Sequence, residues 1–333
     1  MTKIKQIKLH KTFESNLNST MQYWEHFYVL ADKRVLQIGD KLDFNLFTPN
    51  TPTSMSLFLQ SHTVLDKVQQ HKLRDIEQIY VLKKQNDKYN SFLEKYLQSI
   101  LKDESISLDE KTSIIYASTR SLTKSLYENP NGLENLQHLE KIITPILENI
   151  VNNKNTITSY MKIIEYDYYT HTHCLNVSIY ALSLGSKLGL DYKTLNALGS
   201  SALLHDLGKS KINYDITIKK KHLSNAEFEK MKKHTIYGYE TALSIGIKDQ
   251  DILDGIKHHH EKLDGSGYPD GLKDKEITLF ARLIAVCDVF DALTTKRSYK
   301  EALSSVQALK IMKTSMYSHL DIKLVDTFIR MLI

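Results

Sequence analysis

Three consecutive histidines, His258, His259 and His260, stand beside Glu261 and run into the Gly-rich turn Leu263–Gly271. Imidazole nitrogens are the commonest side-chain metal ligands. Gly265 and Gly267 let the backbone turn sharply and approach a ligand closely, and Pro269 stiffens the exit. A ligand cluster joined to such a loop suggests a site for a metal and something phosphorylated. Its remaining parts must lie elsewhere. His205-Asp206 follows an apolar helical stretch and is itself followed by Leu207-Gly208-Lys209, with Gly208 expected to end the helix. Neighbouring His and Asp on a helix point about 100 degrees apart. Both reach one metal only near a helix end, or with the carboxylate bridging two metals. His173 shares a helical face with Val177 and Ala181, and alone would read as a core histidine. His234 lies just beyond Met231, and Asp288 and Asp291 are three apart on a very apolar helix. A carboxylate buried there is costly unless paired or bound to metal.

Together these segments resemble the HD-GYP branch of the HD superfamily of metal-dependent phosphohydrolases. The motifs are HTHCLNV, HDLGK, MKKHTIYGYE, HHEKLDGSGYPDGL and ARLIAVCDVFDALTTKRSYK, in that order from about Tyr166 to the end. The resemblance implies two divalent metals, iron or manganese. It puts His173, His205 and Asp288 on one, His234, His259 and His260 on the other, and Asp206 between them as a bridge. His258 is then a bystander, and Asp291 a support for the ligand shell. Some family members carry a Glu for a third metal one turn before the first histidine; here that residue is Tyr169.

The implied reaction is hydrolysis of cyclic di-GMP to pGpG, and often onward to GMP, by a metal-bridging hydroxide. Asp206 and Lys209 are the implied catalytic residues, Lys209 contacting the scissile phosphate. Arg297 and Lys300 match positions that bind substrate, and Gly267, Tyr268 and Pro269 form the pocket edge. Two alternatives stand beside this: a cyclic di-GMP-binding effector with little turnover, and a hydrolase of another cyclic dinucleotide such as cyclic GMP-AMP. The chain departs from the family pattern at Asn213, Thr235, Ile218–Leu223 and Lys296–Tyr299, without losing a ligand. Lys219-Lys220-Lys221 reads as a solvated face or as an attractor for an anionic dinucleotide.

The elements that must position these residues are mostly helical. The chain has 333 residues, enough for two domains, with only 5 Pro and 12 Gly. A net charge of +5 suits an anionic small molecule but does not argue for a nucleic-acid polymer. There is no apolar run of membrane-spanning length, and the start lacks the apolar core of a signal peptide. Cys174 and Cys287 form no CxxC pair, which fits a cytoplasmic protein.

The fold expected is α+β overall: a small regulatory α+β domain over 1–102, a helical connector over 103–160, and an all-α HD-type bundle over 161–333. Residues 26–49, 55–65 and 76–82 carry strand signals, and 64–73 and 86–101 helical spacing. The connector reads equally as a structural link, or as a homodimerising or partner-signalling helix pair, with Pro145 as a kink or a new start. Ser224 and Ser304 each open a helix as a capping box.

Overall fold

The computed structural model describes residues 27–51, 54–128, 135–153, 155–164, 169–217, 219, 222–295 and 302–332, with 135–138 as backbone alone. The chain divides after Lys102 into two compact units.

The first unit holds a four-stranded antiparallel sheet of β1 (Tyr28–Ala31), β2 (Leu46–Thr51), β3 (Ser54–Leu59) and β4 (Ile79–Leu82), in the order β1-β4-β2-β3. β4 is central because it is apolar throughout. Ile79, Tyr80 and Val81 are buried, with Val81 facing both Val29 and Leu46. Helix α1 (Lys67–Asp75) starts from a capping box on Asp66 and Gln69. Helix α2 (Asn86–Lys102) buries Tyr89, Leu93, Tyr96, Leu97 and Ile100, the stripe that its spacing predicts. Phe44 meets the Tyr89 ring edge-on at 5.4 Å and helps close this core.

The second unit is helical. It comprises α3 (Leu108–Glu128), α4 (Asn135–Asn152), α5 (Thr156–Ile163), α6 (Thr170–Lys187), α7 (Tyr192–Leu204), α8 (Tyr214–Thr217) and α9 (Asn225–Lys232). α10 (His234–Ser244), α11 (Gln250–His258), α12 (Leu279–Thr294), α13 (Ser305–Thr314) and α14 (Ile322–Leu332) complete it. α6 is the axis. Its residues from Cys174 to Gly185 are buried on every side, and it packs on α3, α7, α12 and α14. A helix apolar all round belongs inside a bundle.

Pro145 lies inside α4, so it does not start a new segment. Proline removes one backbone hydrogen bond; here the helix runs on because it is packed against α3 and α7. The capping boxes on Ser224–Glu227 and Ser304–Gln307 are both complete.

One local expectation is corrected. α7 ends at Leu204, before the glycine, and Leu207–Lys211 forms a 3-10 turn containing Gly208. Gly208 is there for contact: a Cβ on it would stand 1.9 Å from the His234 carbonyl oxygen. Its missing side chain lets the HDLGK turn lie directly on the start of α10.

Candidate metal centre

Helix ends deliver most of the cluster. His205 caps the C-terminus of α7, His234 begins α10 just after α9 ends, and His259 caps the C-terminus of α11. The last carbonyls of a helix lack intrahelical partners. Each of these histidines supplies one from its own ring. His205 Nδ1 donates to Ala202 O at 2.7 Å, His234 Nδ1 to Met231 O at 2.7 Å, and His259 Nδ1 to Ile256 O at 2.8 Å. A carbonyl can only accept, so in the neutral ring the proton sits on Nδ1 and Nε2 presents a bare lone pair. Burial keeps these rings neutral, pushing His234 down to about 4 and His205 and His259 also downward.

His173 is oriented by another route. Its Nδ1 lies 2.7 Å from Asp291 Oδ2, while its Nε2 lies 3.1 Å from Asp288 Oδ1. Burial opposes charge on this ring, but the two carboxylates outweigh it and raise His173 to about 10. Asp291 is fully buried and accepts further bonds from Asn176 Nδ2 and Thr295 Oγ1. His260 is the most open of the set; burial lowers it to about 3, and its Nδ1 lies 3.9 Å from Asp288 Oδ2.

These ligand atoms form two groups that share one residue: His173, His205 and Asp206, and Asp206, His234, His259 and His260, all atoms within 4.8 Å in each group. Asp288 adjoins both through His173 and His260. Burial raises the Asp206 carboxyl, but Lys209, His205 and His234 hold it well below the usual carboxylate range. Lys209 makes a close ion pair with Asp206, three residues before it. The donor set fits cations. Among the described residues, buried His205 Nε2 and Asp206 Oδ1 make no hydrogen bond. His234 and His259 approach Nε2 to Nε2 at 3.4 Å. Lone pairs directed at one another in a buried site are unfavourable unless something positive lies between them. Imidazole with carboxylate suits several transition metals without choosing one.

The cluster forms the floor of a cavity of about 500 Å³. His173, Asp206, Lys209, His234, His260 and Asp288 line its base, and Lys219, His222, Phe228 and Tyr268 stand on its wall. Tyr268 lies 4.8 Å from the His260 ring and meets Phe228 edge-on at 6.2 Å, with Lys232 over both faces. Lys219 is bound to both oxygens of Glu227, so its charge is already paired. Tyr169 lines the mouth and stacks on His171 at 5.5 Å. Arg297, Lys300, Lys220 and Lys221 lie outside the described residues.

The Gly-rich loop is built differently from its first reading. Gly265 has φ +81 and does make the turn. Gly267 serves packing: a Cβ there would stand 2.4 Å from Glu261 Cα. The Tyr268–Pro269 peptide is cis. Glu261, singled out in the sequence but given no role, organises the loop. Its buried carboxylate accepts from the backbone N–H of Asp270, Gly271 and Leu272 at 2.7, 3.0 and 3.1 Å. His258 points to the same loop, with Nε2 3.0 Å from Asp270 Oδ2. Sequence reasoning also passed over Asn176 and Tyr116, which no local signal marks.

An HD-domain family model matches residues 145–324, more than half of the chain. The chain belongs to the HD-domain family. The chain is 31% identical over 193 residues to a cyclic di-GMP phosphodiesterase of Pseudomonas aeruginosa, covering 58% of this chain and 46% of that protein. It is 30% identical over 258 residues to a 3'3'-cGAMP-specific phosphodiesterase of Vibrio cholerae, covering 77% and 46%. The chain spans about half the length of the curated relatives it matches. A solved HDG"Y"P protein from Bdellovibrio bacteriovorus superposes with a TM-score of 0.68 over 92% of this chain and 99% of that one, at 22% identity. The expected small sheet domain followed by an HD-type helical domain is therefore the fold observed. Among the described residues, no helix is long and apolar enough to cross a membrane.

Proposed function

We propose that the protein is a metal-dependent phosphodiesterase that hydrolyses cyclic di-GMP to pGpG and onward to GMP. The observation that carries this reading is the convergence of imidazole Nε2 atoms from His173, His205, His234 and His259 around the Asp206 carboxylate, at the base of an open cavity. His173, His205 and Asp288 would hold one divalent cation, His234, His259 and His260 a second, with Asp206 bridging. Bound there, the pair would activate water at neutral pH and neutralise charge on the phosphodiester.

The chain's own residues supply the rest. Lys209, held against Asp206, keeps its proton and offers a cation to the scissile phosphate. Tyr268 and Phe228 give the wall flat aromatic faces on which a purine can stack. Arg297 and Lys300 are assigned to substrate phosphate and guanine, where a guanidinium fork gives bidentate recognition. The metals assigned are iron or manganese and the compartment the cytoplasm. The first unit would regulate the second, with α3 and α4 offering a surface for a second copy or a signalling partner.

The names of the relatives support the substrate class. The 77% coverage by the cGAMP-specific relative favours 3'3'-cGAMP as the second reading. The test is anaerobic purification, loading with Mn²⁺ or Fe²⁺, and product identification from a panel of cyclic dinucleotides. Release of pGpG from cyclic di-GMP, abolished by chelation, is the expected result. Faster cleavage of 3'3'-cGAMP would move the assignment to the second reading. Tight binding without turnover of any member would make the protein an effector.

A further inference from the structure

Unlike His205, His234 and His259, His173 has its ring oriented by a chain of side chains from other parts of the unit. The chain has fixed polarity. The Asp291 carboxylate only accepts, so Asn176 presents Nδ2 to it, at 3.1 Å, and turns its Oδ1 the other way. That oxygen also only accepts, so the Tyr116 hydroxyl donates to it, at 2.9 Å. Asp291 Oδ2 in turn receives His173 Nδ1, at 2.7 Å. Tyr116, Asn176 and Asp291 are all buried, so each bond lies in a low-dielectric interior where an unmade partner is costly. Tyr116 sits on α3, the first helix after the sheet-bearing unit, and α3 packs directly on α6, which carries both Asn176 and His173.

We infer that Tyr116 is a positioning residue for the metal centre: its hydroxyl, through Asn176 and Asp291, fixes the tautomer and orientation of His173. The inference rests on the ligand assignment proposed above. Tyr116 touches neither metal nor substrate. It donates to the Asn176 oxygen while Asn176 Nδ2 donates to Asp291. Removing the hydroxyl takes one buried donor from that amide and weakens the support of the carboxylate that orients His173. A displacement of α3 would act on the same bond, and so on the His173 group alone. His205, His234 and His259 would be untouched, because each is oriented by its own helix end.

The test is Mn²⁺ titration of the metal-free full chain by equilibrium dialysis, alongside thermal unfolding. The variants are Tyr116→Phe, Asn176→Ser, Thr119→Val and Asp206→Ala. Thr119 lies on the same helix, buried, but its hydroxyl donates only to α3 carbonyls, so its variant controls for packing. Outer partners of metal ligands are worth about 10–100-fold in affinity. Tyr116 is one bond further out, so one of two Mn²⁺ equivalents should weaken by about tenfold in Tyr116→Phe. Asn176→Ser should weaken the same equivalent further, and carries the test if Tyr116→Phe does not fold. Thr119→Val should titrate as the parent does. Tyr116→Phe titrating like the parent, or weakening both equivalents together, overturns the positioning role while leaving the ligand assignment intact. A parent chain that takes up no Mn²⁺, or an Asp206→Ala variant that binds it normally, overturns the ligand assignment and the positioning role with it.

Discussion

The two sides of the metal centre are oriented by different means. His205, His234 and His259 each cap a helix C-terminus with Nδ1, so forming the helix also aims the ligand. His173 depends on Asp291 of α12, Asn176 of its own helix and Tyr116 of α3. The first arrangement costs nothing in tertiary coordination and has no side chain to mutate, since its partner is backbone. The second is assembled only when three helices have docked, and each link can be removed singly. One side is therefore robust, and the other is where sequence change or movement can act.

The largest expected effect removes the distinction altogether. Asp206 belongs to both groups, so Asp206→Ala should lose both metals and lower turnover by more than about a thousandfold, several kcal/mol of charge stabilisation. Metal analysis and product assay check it; near-normal turnover would refute the bridge. Next is Gly208→Ala, aimed at the backbone-anchored side. The added methyl meets the His234 carbonyl, and overpacking of this kind costs about 1–3 kcal/mol or more. Chemical denaturation should show the loss, with His234 displaced in a structure of the variant.

Asp291→Asn strikes the other side. It leaves His173 Nδ1 without its carboxylate, and metal affinity should fall about 10–100-fold with the fold intact. If Asp291→Asn cost no affinity, the contrast between the two sides would have no functional meaning. Glu261→Gln is the smallest of the four for the metals. It weakens the charge-assisted acceptor for three loop N–H groups, and stability should drop by about 1–3 kcal/mol. Metal content should persist while KM rises, because Tyr268 rides on that loop.

What could be read from the sequence followed the range of the physics. The capping boxes at Ser224 and Ser304, the amphipathic stripe of α2 and the end of α6 near Gly189 are set by residues a few positions apart, and they were legible. The histidines and aspartates were picked out by type and order; the structure groups six of the seven proposed ligands, with Asp288 beside His173 and His260. Gly208 and Gly267 were noticed for the wrong reason. A glycine required by close approach looks in sequence like one required by a turn, and only the neighbouring backbone tells them apart. Pro145 read as a kink or a new start, and the new start fails because local rules do not include the helices packed around it. Tyr116 carried no signal, since its partner is 60 residues away.

Glu261 follows His260 directly, and its carboxylate fixes the backbone from Asp270 to Leu272. His258, on the other side of the ligand pair, reaches Asp270 as well. The stretch from His258 to Leu272 is thus internally braced, with its two ends tied to each other. It works as a cassette: ligands and pocket wall keep their shape as one block. Transplanting only the GYP turn from a relative would import a loop without its clamp, whereas moving the whole block would carry the shape along with the sequence.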